Sequence, residues 1–203
     1  MRATGTVATV AYCLLPGLAL AQDLGGPRIH AGEGIAGLFS EIRGGAIWHD
    51  PGSKEDSFAI NGELLFASPV PARVTAGLDP LYRWVLEPRP HVGFTANTGG
   101  KTSKGYFGLT WTATLARNVL RPGDGIRFDL LFGGSVNDGL HSRDLSGRRD
   151  VGGNLLFHMG VELGYQIDRV WSVSLFLDHD SNGGTAKQND GLNSLGLRLG
   201  FAL

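Results

Sequence analysis

Along most of this chain the apolar residues recur at every second position, the spacing at which side chains share one face of a β-strand. In a first segment Leu38, Ile42, Ala46 and Trp48 take one side, and Glu41 and Arg43 the other. Phe58, Ile60, Leu64 and Phe66 oppose Asn61 and Glu63 in a second. After a long Pro-containing connection, Val92, Phe94 and Ala96 alternate with His91, Thr95 and Asn97. Phe107, Leu109, Trp111, Ala113 and Leu115 then alternate with Gly108, Thr110, Thr112 and Thr114. Ile126, Phe128, Leu130, Phe132 and Val136 oppose Arg127, Asp129 and Ser135, and Leu155, Phe157, Met159, Val161, Leu163 and Tyr165 oppose His158, Gly160, Glu162 and Gln166. Trp171, Val173, Leu175 and Leu177 mark a seventh segment, and Leu195, Leu197, Leu199, Phe201 and Leu203 an eighth.

Eight such segments suit two all-β architectures. A soluble sandwich or barrel buries the apolar face and shows the polar one to water. A transmembrane barrel inverts this, with apolar side chains toward lipid and polar or small ones inside. The polar faces here mix Gly and Thr with Glu, Arg, Asp and His of both signs, as a narrow lumen filled by paired side chains requires. Several segments also reach the ~9 to 11 residues that a tilted strand needs to cross a bilayer. The pattern therefore predicts an all-β, eight-stranded antiparallel transmembrane (outer-membrane) β-barrel. With a periplasmic amino terminus, the connections near 49–57, 99–104, 137–151 and 182–192 face the exterior. Those near 68–89, 117–124 and 168–170 face the periplasm, the first being longer than the usual short turn.

The amino-terminal residues break the pattern. Met1-Arg2 is positive, Val7 to Leu20 is mostly apolar, and Ala19-Leu20-Ala21 before Gln22 has the small-x-small form of a cleavage site. Residues 1–21 read as a secretory signal peptide, since the run is shorter than an anchor helix needs and is interrupted by Pro16 and Gly17. Residues 22–203 then form a single barrel domain. The one cysteine, Cys13, lies inside the signal, so the mature chain has no disulfide. A formal charge of -1 without a basic block offers nothing to nucleic acid, and 32 glycines accord with an all-β chain.

Candidate chemistry lies where the last two strands meet. Beyond Val173, Leu175 and Leu177, the same lipid-facing parity carries His179 and Ser181, while Asp178 and Asp180 point inward. Asn193 shares the face of Leu195, Leu197 and Leu199 on the returning strand. A serine hydroxyl becomes a useful nucleophile when an imidazole takes its proton and a third group holds the imidazole. Asn182, the backbone around Gly183 and Gly184, and Asn189 can offer N–H donors to an oxyanion. Ser-Asn-Gly-Gly also suits a hairpin turn for backbone reasons alone. A polar pair on a face otherwise kept for lipid, however, is costly unless used. His30, His49, His91, His141 and His158 have no metal-ligand spacing, and no metal or cofactor is expected. Arg143, Arg148 and Arg149 in an exterior loop are candidates for phosphate contact, or a solvated loop.

His179-Asp180-Ser181-Asn182-Gly183-Gly184, followed by Asn189-Asp190-Gly191-Leu192-Asn193-Ser194-Leu195-Gly196-Leu197-Arg198, resembles the carboxyl-terminal signature of the PagL family of lipid A 3-O-deacylases, also called acyloxyacyl hydrolases. Glu87-Pro88-Arg89-Pro90-His91-Val92-Gly93, Gly105-Tyr106-Phe107-Gly108-Leu109-Thr110-Trp111 and Ser135-Val136-Asn137-Asp138-Gly139 resemble blocks of its alphaproteobacterial branch. The resemblance implies a serine esterase in the outer membrane of a Gram-negative bacterium, acting on lipid A of lipopolysaccharide and compatible with a homodimer. It implies His179 as base, Ser181 as nucleophile, and Asn182, Gly184 and Asn189 at the oxyanion hole. The family's acid falls on Asn193, a departure, because an amide orients an imidazole but does not stabilise imidazolium by charge. The same loss in a serine protease triad is about 10⁴ in rate. The alternative is a non-catalytic barrel of the same family with a structural or lipid-binding role.

Overall fold

The computed structural model describes residues 37–139 and 148–203. The expected signal peptide, His30, His141 and Arg143 lie outside them. Eight strands close into one antiparallel barrel, each pairing with its sequence neighbours and β1 with β8. They are β1 (Phe39–His49), β2 (Ser57–Phe66), β3 (Arg89–Asn97), β4 (Lys104–Arg117), β5 (Gly125–Asn137), β6 (Leu155–Gln166), β7 (Trp171–Ser181) and β8 (Leu192–Ala202). No helix among the described residues is long and apolar enough to cross a membrane.

The period-two pattern decides which way each side chain faces. Ile42, Phe58, Ile60, Phe94, Phe107, Phe132, Leu163 and Leu197 are exposed on the outer wall. An apolar surface of this extent is tolerated in lipid and not in water. Inside, the polar set is buried and mutually paired. Arg43 meets Glu41 (2.9 Å), Asp129 (2.9 Å) and Glu162 (3.1 Å). Arg127 and Arg89 both reach Glu41, at 2.7 and 3.0 Å, and Arg198 joins Glu63 at 3.2 Å and Glu162. Burying so many charges is tolerable only because nearly every one has opposite neighbours.

Between this ion-pair cluster and the rim sits an apolar layer of Ile47, Ala59, Leu131 and Phe176. Gly196 stands between Phe176 and Ile47 in the β7–β8–β1 register. A Cβ there would lie 2.2 Å from Ile47 Cδ1, so a glycine is what lets the two large side chains share that level. The Arg198 guanidinium caps the layer from below, 3.8 Å over the Phe176 ring.

The connections gather at two ends, as parity predicts. Residues 50–56, 98–103, 138–139, 148–154 and 182–191 lie at the end that carries Ser181. Residues 67–88, 118–124 and 167–170 lie at the other. The long connection between β2 and β3, for which the sequence pattern has no explanation, folds into two short helices, α1 (Ala72–Thr75) and α2 (Pro80–Leu86). Asp79 caps α2 by accepting from the Leu81 N–H, and Pro80 opens it, where a missing N–H costs nothing.

Candidate active site at the barrel rim

β7 keeps its alternation to its last residue, so the row Val173, Leu175, Leu177 continues outward into His179 and Ser181. The β7–β8 register sets His179 opposite Asn193, and His179 Nδ1 lies 2.9 Å from Asn193 Oδ1. An amide oxygen can only accept, so this contact assigns the ring proton to Nδ1 and leaves the Nε2 lone pair for another partner. Ser181 stands two residues further along the same face, about 7 Å away at Cα by strand rise. His179 and Ser181 are half-buried, and Asn193 is exposed.

One contributor lies inside the carboxyl-terminal signature without a role that the sequence assigns to it. Gly191 lies beside the imidazole, where a Cβ would come within 2.7 Å of His179 Cε1 and 3.3 Å of Nε2. The ring keeps its orientation because nothing projects from residue 191.

The loop after β7 is organised by Asn182, which is buried. Its side-chain amide donates to the carbonyls of Val151 (3.1 Å) and Gln188 (2.5 Å), and its Oδ1 accepts from the Gly184 N–H at 2.8 Å. Its own N–H donates to Asn189 Oδ1 at 3.0 Å, which turns the Asn189 amide nitrogen away from that contact. Gly183 and Gly184 both take positive φ, +63° and +82°. Of the three expected oxyanion donors, Asn182 and the Gly184 N–H are thus engaged within the loop, and Asn189 is exposed, with its Oδ1 taken by the Asn182 N–H. Asp190, the next residue of this loop, lies 3.9 Å from Lys54.

The neighbouring loops are fastened around Glu55, which sequence alone gave no reason to single out. Its carboxylate accepts from the N–H of Thr102 (2.9 Å), the Thr102 hydroxyl (3.0 Å) and the N–H of Arg149 (2.7 Å), and lies 3.2 Å from His49 Nε2. Burial alone would raise this carboxyl, but the hydrogen bonds from His49, Arg149 and Thr102 outweigh it and hold the pKa at about 2. Arg149 grips Asp50 through Nε (2.6 Å) and a second nitrogen (3.0 Å), a fork that holds its own pKa above the usual arginine value. Arg148 reaches Thr102 and Asp138. These two arginines are therefore engaged by the protein rather than standing in a solvated loop. The clamp reaches the site directly, because the Asp50 N–H donates to the Asn193 carbonyl at 2.7 Å.

A second His–Ser–carboxylate grouping lies inside the barrel. Asp180 Oδ1 accepts from Ser135 Oγ (2.6 Å) and sits 3.0 Å from His158 Nδ1, all three fully buried. His158, Asp178 and Asp180 are close enough to share a cation, and Lys104 provides one, at 2.9 Å from Asp178 and in contact with Asp180. The ammonium satisfies this pair, so the group has no need of a metal.

Taken together, the closed eight-stranded barrel and its apolar outer wall define an outer-membrane β-barrel, with His179, Ser181 and Asn193 gathered on that wall at one rim. The chain belongs to the PagL family: residues 70–202 match the family model described as Lipid A 3-O-deacylase (PagL). The solved structure of the outer membrane enzyme PagL aligns with a TM-score of 0.55 at 15% identity, covering 81% of this chain and 99% of that one. A de novo designed transmembrane barrel (TM-score 0.43, 8% identity, 81% and 95% covered) and Neisserial surface protein A (0.42, 10%, 82% and 97%) match more loosely. No curated protein matches the chain.

Proposed function

We propose that this chain is an outer-membrane serine esterase that removes an ester-linked acyl chain from lipid A. The observation that carries the reading is the 2.9 Å contact between His179 Nδ1 and Asn193 Oδ1 on the lipid-facing wall, two residues from Ser181. In the proposed reaction Ser181 Oγ attacks the ester carbonyl as its proton passes to His179 Nε2. The oxyanion is met by N–H donors of the 182–189 loop, the Asn189 side-chain amide foremost. Collapse expels the sugar alkoxide, which takes the proton from His179 and leaves an acyl-Ser181 ester. Water then attacks that ester with His179 again as base, releasing a fatty acid and restoring the hydroxyl. Phe157 and Met159, exposed on β6 opposite Ser181 and His179, give an acyl chain an apolar wall to lie on. The substrate is reached sideways from the leaflet, without leaving it.

The test is mass spectrometry of lipid A from cells producing the wild type or Ser181→Ala. We expect the wild type to shorten lipid A by one acyl chain and the variant to leave it intact. Identical acylation in the two would refute the enzymatic reading.

A second reading, a non-catalytic barrel of the same family with a structural or lipid-binding role, is favoured by one observation: the partner of His179 is a neutral amide. It is adopted if neither the wild type nor Asn193→Asp releases an acyl chain.

A further inference from the structure

The two helices between β2 and β3 sit on the barrel's outside, where the strands face lipid. The Trp84 ring lies 6.4 Å from that of Trp111 on β4, and Trp111 Nε1 donates to the Val85 carbonyl at 3.0 Å. Trp111 belongs to the same outward row as Phe107 and Leu109, so α2 is packed against the wall rather than hanging below it. A helix covering that wall in water would turn a polar face outward. This one does not. Tyr82, Val85 and Leu86, at the i, i+3, i+4 spacing of one helical face, are 64%, 49% and 45% exposed. Val74 and Leu78 before them are 64% and 41% exposed. Arg83 of α2 does not dilute this face, because it pairs at 3.6 Å with Glu87, the residue that caps the helix, and Glu87 also bonds Thr75, which ties the two helices together.

We propose that residues 72–86 form a lipid-docking element, with Tyr82, Val85 and Leu86 seated in the bilayer leaflet at the end of the barrel opposite His179. The occupant is lipid rather than protein because the exposed face is continuous with the outer wall through Trp111. A Tyr and a Trp near Arg73 and Arg83 also make the mixed apolar and polar set that the membrane–water boundary accepts. The element fixes the depth of the barrel at that end, and hence the height of the opposite rim relative to the outer leaflet. The inference rests on the barrel being embedded in a bilayer.

Spin-label accessibility tests it. In the full chain carrying Cys13→Ser and folded into phosphatidylethanolamine/phosphatidylglycerol vesicles, single labels are attached at Tyr82→Cys, Val85→Cys and Leu86→Cys. Phe107→Cys on the wall and Arg169→Cys in the β6–β7 turn serve as references. We expect the oxygen-to-nickel-chelate relaxation ratio at 82, 85 and 86 to match that at 107 and to exceed that at 169 severalfold. Labels at 82–86 that behave like 169 while 107 reports lipid overturn the inference alone. Labels shielded from both reagents also overturn it, since a second protein copy then covers the face. A label at 107 that reports water overturns the membrane reading itself.

Discussion

The two faces of the wall formed by β5 to β8 carry nearly the same chemistry with opposite prospects. Inward lie His158, Asp180 and Ser135, with a true carboxylate and hydrogen bonds of 2.6 and 3.0 Å. Outward lie His179, Ser181 and Asn193, with an amide where the carboxylate would be. Judged by residue types, the inner set is the better triad. Its serine, however, donates to the same carboxylate oxygen that the histidine approaches, so the histidine is not placed to take the serine's proton. A lysine also contacts the acid, and all three residues are fully buried. The outer set has the weaker third member, but its histidine is oriented and its surroundings are open to lipid. Access and proton direction, more than the list of residues, separate a reactive group from a structural one.

Changing the amide back to an acid sharpens this comparison most. Asn193→Asp is isosteric and keeps the 2.9 Å geometry while adding a charge to stabilise imidazolium. In a serine protease triad the carboxylate is worth about 10⁴ in rate, so we expect deacylation to rise by up to about 10⁴-fold. Single-turnover release of fatty acid from purified lipid A measures it. No gain in activity would mean that His179 is not the base. The same arithmetic limits the effect of Ser181→Ala: losing a whole triad costs about 10⁶, so with the acid already absent only about 10² remains to be lost.

The inner face responds in stability instead. Lys104→Met leaves Asp178 and Asp180 buried without their cation, and breaking a buried pair from one side costs about 3–5 kcal/mol. Urea unfolding in vesicles should show that loss, with lipid A processing by the folded fraction unchanged. A fall in turnover per folded molecule would show that lumen and rim are coupled.

The outward row of each strand was legible because a period of two survives in sequence whatever the barrel does around it. The pairing of His179 with Asn193 was legible for the same reason, since a hairpin relates two nearby segments. What could not be read were contacts that depend on closure. Arg43 and Glu162 are 119 residues apart and meet only across the lumen. Asp50 reaches the Asn193 carbonyl only because β1 seals against β8. Glu55 carries no motif, and its role arises from three loops converging on one carboxylate. Helices α1 and α2 stayed invisible because a helix of four residues and one of seven give too few turns for a 3.6 period to stand out.

The Glu55 clamp makes the rim sensitive to acid. Its carboxyl is held at about 2 in the folded state against an ordinary value of 4.5. A depressed carboxylate stabilises fully above its unfolded value, and the contribution is lost as pH falls through the folded one. The loops should therefore hold constant protection above about pH 5 and loosen between about pH 4.5 and 2, by at most about 3 kcal/mol. Amide hydrogen exchange at Thr102 and Arg149 reads this directly. In Glu55→Gln the acid-dependent step should disappear, and its persistence would assign the transition to another group.

The smallest expected effect is the one that separates the two groupings most cleanly. Ser135→Ala removes a single hydrogen bond to Asp180, which keeps Lys104 and His158. A bond to a charged acceptor contributes about 1.5 kcal/mol, so the barrel should unfold at slightly lower urea. Lipid A acylation should match the wild type, whereas Ser181→Ala, the same deletion of one hydroxyl on the other face, should leave stability within about 0.5 kcal/mol because its site is half-exposed. The two alanine variants thus trade places between the stability assay and the lipid A assay. If Ser135→Ala instead abolished deacylation at unchanged stability, the inner histidine would be the working base and strand parity the wrong guide to this site.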